Sequence, residues 1–264
     1  MLNRLVRLAV LATALTWAVL PTSANAAVID KTVTINVYQM CDNAGLNCAS
    51  TGPVGDDYFA TSTNKIWGQA GISVSFNFVQ QINNATFLTI NDASSNSFAA
   101  LASQYGTMGP SSSGVDMFLV NDVVGAYGEG WFGSGGLVMA MDSVMDYNCG
   151  GVMGCTGRID TVAHELGHNF GLVPDSLGGV GGHWVPGVGN DRLMAGGPYR
   201  LVPTSLSDIA PSGLGYDKLT AGEIAAVRQS SLLRDVSPVP EPEMVFMMLA
   251  GLAGIGLMRR RSIR

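Results

Sequence analysis

All three histidines of this 264-residue chain fall between positions 164 and 183, and two of them, His164 and His168, are four apart with Glu165 beside the first. Residues four apart share a face only where the backbone is helical, so this segment must form a helix if the pair is to act together. Asp160 or Thr161 supplies a start and Gly171 a stop, which predicts a helix over residues 160–170. Two neutral imidazoles on one face suit zinc, which in catalytic sites takes three protein ligands and keeps a position open for water. Glu165 is placed to reach that water without binding the ion. Zinc lowers the water's pKa to about 7, where a neighbouring carboxylate can accept its proton. With only 3 His in the chain, this arrangement would arise by chance on the order of one time in a thousand.

The rest of the body supplies a scaffold. Val33, Ile35 and Val37 alternate with Thr34 and Asn36, and Ile72, Val74, Phe76 and Phe78 alternate with polar residues, as half-buried strands do. Residues 58–70 and 97–105 read as helices ended by Gly71 and Gly106. Apolar runs at 115–120 and 136–141 suit buried strands. Residues 172–215 are dense in glycine and proline and read as loop. A last helix is expected over 221–233, opened by Thr220 and Glu223 in capping-box spacing. Alternating strands and helices followed by loops and one helix indicate an α/β (α+β) fold. Residues 27–236 are expected to form one domain, with a sheet lobe over about 27–171 and a small irregular lobe over about 172–236.

The two ends read as addresses. Residues 1–26 have a basic start at Arg4 and Arg7, an apolar stretch over 8–20 and a small-residue cleavage site at Ala24-Asn25-Ala26, the pattern of a secretory signal. At the other end, residues 237–264 carry Val239-Pro240-Glu241-Pro242, an apolar run over 244–258, and Arg259-Arg260-Arg261. Fifteen helical residues cover about 22 Å, short of a roughly 30 Å hydrocarbon core unless the flanks help. Between Arg7 and Arg259, eight basic residues stand against twenty acidic ones, a balance of −12. A body of that charge repels phosphate backbones, which argues against nucleic-acid binding. Export also fits the four cysteines, Cys41, Cys48, Cys149 and Cys155. Three pairings are open, and their clustering favours Cys41–Cys48 with Cys149–Cys155.

Two resemblances follow from these motifs. The order of Pro-Glu-Pro, apolar helix and arginine cluster resembles the PEP-CTERM sorting signal of Gram-negative bacteria. That resemblance implies an exported chain with transient membrane association, processed by exosortase-type machinery at the inner membrane and destined for the cell envelope or the exterior. His164-Glu165-Leu166-Gly167-His168-Asn169-Phe170-Gly171 resembles the opening of the metzincin signature, and Arg192-Leu193-Met194-Ala195-Gly196-Gly197 looks like its Met-turn. The metzincin resemblance implies a twisted mixed sheet with helices in the N-terminal lobe and one catalytic zinc ion.

The family places its third ligand three residues after the glycine, where this chain has Pro174. Two candidates remain. Asp175 is similar to the aspartate at this offset in igalysin-like metallopeptidases and is placed ahead of His183, which follows a glycine-rich stretch. The resemblance also implies an edge strand above the cleft, for which residues 136–140 lie at the matching place in the order. The expected function is a zinc endopeptidase acting on protein or peptide substrates. Its metal ligands would be His164, His168 and Asp175 or His183, with Glu165 as general base and acid. The alternative is a non-catalytic metzincin-like binding protein of the envelope or matrix with a degraded metal site.

Overall fold

The computed structural model describes residues 27–52, 59–106, 114–148, 157–172, 189–196 and 200–236. The chain opens with β1 (Lys31–Cys41), α1 (Ala60–Trp67) and β2 (Ile72–Asn83). Next come β3 (Thr89–Ile90), α2 (Phe98–Tyr105), β4 (Val115–Val120), β5 (Asp122–Val123), β6 (Gly128–Gly130) and β7 (Gly136–Ala140). α3 (Met141–Asp146), α4 (Thr161–Asn169), α5 (Ala221–Val227) and β8 (Arg234–Asp235) complete it. The main sheet runs β2-β1-β4-β7-β6. Its first four strands are mutually parallel and β6 is antiparallel to β7. The fold is therefore mixed α/β with a mostly parallel sheet, as the alternation of elements predicts.

Two apolar layers cover the sheet. On one face Val33, Ile35 and Val37 of β1, Met117 and Leu119 of β4, and Leu137 and Met139 of β7 pack with Trp67 of α1 and Val162, Ala163 and Leu166 of α4. On the other, Phe118, Val120, Val138 and Ala140 pack with Phe98, Leu101 and Ala102 of α2. Because β4 and β7 are buried on both faces, they read in the sequence as near-continuous apolar runs, interrupted in β4 by Asp116 alone, whereas β1 alternates.

Several expectations are corrected in detail. Residues 136–140, expected as an exposed edge, form the interior strand β7, paired on both sides; the edge is β6. α5 ends at Val227, short of residue 233. Arg228 binds the Asp30 carboxylate at 2.7 and 2.8 Å and the Ala70 carbonyl at 2.7 Å, and the chain then turns so that β8 pairs antiparallel with β1. The Thr220–Glu223 capping box is present, with Glu223 N–H donating to Thr220 Oγ at 3.2 Å. Cys41–Cys48 is a disulfide; Cys149 and Cys155 lie outside the described residues. Among the described residues no helix is long and apolar enough to cross a membrane, and the apolar run at 244–258 lies outside them.

Candidate functional site

α4 carries the motif in the predicted form. It spans Thr161–Asn169 and is buried along its whole length. Gly171, at φ +98, ends it in a backbone conformation that side chains with a Cβ rarely adopt. The rings of His164 and His168 stand side by side, with centroids 5.1 Å apart and planes at 87°.

Each imidazole is held from behind by a backbone carbonyl. His164 Nδ1 lies 2.7 Å from the oxygen of Leu193, and His168 Nδ1 lies 2.7 Å from that of Leu172. A carbonyl only accepts, so the His168 bond places its proton on Nδ1 and its lone pair on Nε2, the arrangement that metal-binding histidines use, and the Leu193 contact does the same for one tautomer of His164. Leu193 precedes Met194, whose sulfur packs beneath the helix: a Cβ on Gly167 would sit 2.7 Å from it. The loop expected as a Met-turn thus supports the helix that bears both histidines.

His164 Nδ1 has a second neighbour. Arg200 Nη1 lies 2.7 Å away, and a guanidinium only donates. One nitrogen cannot donate to Leu193 and accept from Arg200 at once, so the two contacts belong to opposite tautomers. The guanidinium is also engaged through Nη2, 2.5 Å from Asp160 and 3.0 Å from Asp217. Asp160, expected as a helix cap, makes no side-chain cap bond. Its carboxylate is fully buried and turned to Arg200 and Arg158 instead. Burial pushes the Asp217 carboxyl up to about 7 against the pull of Arg200, and the Asp160 charge adds to the rise.

Glu165 is 6% exposed. Burial pushes its carboxyl from 4.5 up to about 8; Arg200 and Arg158 pull it down, and Glu129 and Asp160 push it further up. Among the described residues it has no hydrogen-bonding partner. It lines a cavity of about 890 Å³ together with His164, His168, Trp131 and Glu129. β6 forms one wall. Cβ atoms on Gly128 and Gly130 would collide with Glu165, the second with its backbone oxygen, so only glycine lets this strand lie so close to α4. Asn169 locks the two together, donating to Trp131 O at 2.8 Å and Gly136 O at 2.7 Å.

The outer edge of β6 is chemically readable. Ala140 N–H donates to Tyr127 O and Trp131 N–H to Gly136 O, both at 3.0 Å. Antiparallel ladders alternate residue by residue, so Tyr127, Glu129 and Trp131 turn their backbone groups toward β7. Gly128 and Gly130 turn theirs outward, to the cavity.

The structure thus brings His164, Glu165 and His168 together. Asp175, His183 and Pro174 lie outside the described residues. Among the described residues there is no group of three or more His, Cys, Asp or Glu side chains arranged to hold a metal ion. Sequence reasoning missed Arg200, Asp217 and Glu129. No local spacing signals them, although Arg200 is one of few cations in an acidic body.

Residues 238–262 match the PEP-CTERM protein-sorting motif. That motif directs a chain for export and sorting to the envelope, and it points to exosortase-type machinery as a partner. No curated protein matches the sequence. A solved structure described as "Structure of a chaperone-substrate complex" aligns at 14% identity with a TM-score of 0.39, covering 76% of this chain. This chain spans 34% of the length of that one.

Proposed function

We propose that this exported chain is a zinc-dependent endopeptidase of metzincin type. The observation that carries the reading is the pair of imidazoles at the cavity wall. Both are anchored through Nδ1 to backbone carbonyls, and the unpartnered carboxyl of Glu165 stands between them in sequence. With His164 in the tautomer that donates to Leu193, two Nε2 lone pairs and a nearby carboxyl make the donor set that a catalytic zinc site takes from one helix. The third donor would come from Asp175 or His183. Zinc, when bound, supplies a Lewis acid that polarises a carbonyl and acidifies water. Its charge would also favour the ionised form of Glu165, opposing burial. Glu165 would then take the proton of the attacking water and pass it to the leaving amine.

The outward backbone groups of Gly128 and Gly130 support an extended peptide as the substrate, since an open strand edge recognises main chain through hydrogen bonds. The alternative, a non-catalytic binding protein, rests on Pro174 at the position where the family has its third ligand.

Metal analysis of the purified chain at micromolar free zinc, alongside a protease assay, separates the two. The expected result is one zinc per chain and chelator-sensitive cleavage. Glu165→Gln should lose cleavage while keeping its zinc, and one of Asp175→Ala and His183→Ala should lose zinc. A chain that takes up no zinc, or full activity in Glu165→Gln, would overturn the endopeptidase reading.

A further inference from the structure

The cavity wraps around the outer edge of β6. His164, Glu165 and His168 line it from the α4 face of the sheet, while Asp92 and Phe98 line it from the α2 face. Side chains alternate along a strand. Gly128 and Gly130 present their α-hydrogens to α4, so Glu129 projects to the other face, where its carboxyl hydrogen-bonds Asp92. Asp92 is itself fixed, accepting from the Phe98 backbone N–H at 2.9 Å. Burial and the Asp92 charge together push the Glu129 carboxyl up to about 7.

A peptide strand laid antiparallel along β6 would bond to Gly128 and Gly130. Its residue opposite Glu129 would then form a non-hydrogen-bonded pair, the type in which side chains approach most closely, with Cα atoms about 4.5 Å apart. That residue points to the Glu129 face, and its two neighbours point to α4. We infer that the Glu129–Asp92 pair selects a lysine or arginine at this position of the bound peptide strand. A cation there neutralises two like charges that otherwise repel, and opposite-charge cross-strand pairs are favoured while like pairs are penalised. The net −12 charge of the chain between its terminal arginines adds long-range attraction for such a peptide.

This inference rests on the peptide-binding reading of the cleft, and the test keeps the two apart. Quenched peptides identical except for Lys, Arg, Gln or Glu at one position, scanned along the sequence, are incubated with the zinc-supplemented full chain, and products are identified by mass. At one fixed offset from the cut bond, Lys and Arg should exceed Glu by tenfold or more in kcat/KM. Glu129→Gln should bring that ratio below about threefold, and Glu129→Lys should invert it. Cleavage with no basic preference, or with a preference unchanged in both variants, overturns the inference while leaving the endopeptidase reading standing. If no peptide is cut, the endopeptidase reading fails. Fluorescence anisotropy of the labelled Lys and Glu peptides then decides the inference: tenfold tighter binding of the Lys peptide that Glu129→Lys reverses supports it, and equal or no binding overturns it.

Discussion

The sulfur of Met194 occupies the space that any side chain at position 167 would need, 2.7 Å from where a Cβ on Gly167 would be built. The methionine is fully buried, so it cannot swing aside into solvent. Gly167→Ala is therefore an overpacking change at the centre of the histidine helix. It should cost about 1–3 kcal/mol of stability and weaken zinc uptake by displacing His164 and His168. Denaturant unfolding and metal titration of the variant check both; unchanged values would remove Met194 from the support of the site.

Arg200 faces two buried carboxylates, Asp160 and Asp217. Arg200→Met leaves both without their shared cation and should destabilise the chain by about 3–5 kcal/mol. Asp217→Asn in the same background should recover part of the loss, because it removes the charge left without a cation while Asp160 keeps Arg158. Equilibrium urea unfolding of the single and double variants gives the answer. A loss under 1 kcal/mol would mean that solvent reaches the carboxylates.

Asn169 has the same standing for the cleft wall. Its amide bonds two carbonyls, one on each side of the β6–β7 turn, and the side chain is wholly buried. Asn169→Ala should cost about 1–3 kcal/mol by stranding the Trp131 carbonyl, while the Gly136 carbonyl keeps its bond from Trp131 N–H. It should also raise hydrogen exchange at Gly128 and Gly130 relative to β4. Exchange that stays unchanged would show that the glycine contacts alone hold β6 to α4.

The metal-free chain should lose stability as pH rises from about 5 to 8. Glu129 is raised to about 7 and Glu165 to about 8, both from 4.5, and Asp217 to about 7 from 3.8. Across that window the folded chain holds more protons than the unfolded one, so unfolding free energy falls with rising pH. The lowered carboxylates Asp30, Asp191 and Asp208 act below about pH 4, outside the window. Thermal melts in chelator should show Tm falling by several degrees, with Glu165→Gln and Glu129→Gln each flattening the slope. A Tm that climbs over this range contradicts the burial of these carboxyls.

What the sequence disclosed was local. The four-residue spacing of His164 and His168 and the Thr220–Glu223 box each declare themselves within one helical turn, and both are present. The apolar run over 115–120 matches β4 end to end, because double burial leaves no regular polar alternation even with Asp116 at its second position. Pairings distant in the chain left no such mark. Asp160 looks like a helix cap until Arg200, forty residues later, draws its carboxylate away. α5 looks six residues longer until Arg228 is seen to bind Asp30. β6 is three residues long and two of them are glycine, so it has no side-chain alternation to read, and the resemblance points instead to residues 136–140, the interior strand β7, as the edge.

β8 ends at Asp235, three residues before the sorting motif begins, and its partner is the opening of the first strand, Lys31. Any leash drawn through the tail therefore enters the fold at that rung, beside β1. Between β1 and β6 lie β4 and β7. β2 fills the other side of β1 at Lys31 and Thr32, so β8 lies on the β4 side, and with neighbouring strands about 4.8 Å apart the attachment point is set off sideways from the open edge by roughly 10 Å across the sheet. Traction at the terminus would load the Val236 N–H to Asp30 carbonyl bond first and the two β8–β1 rungs next.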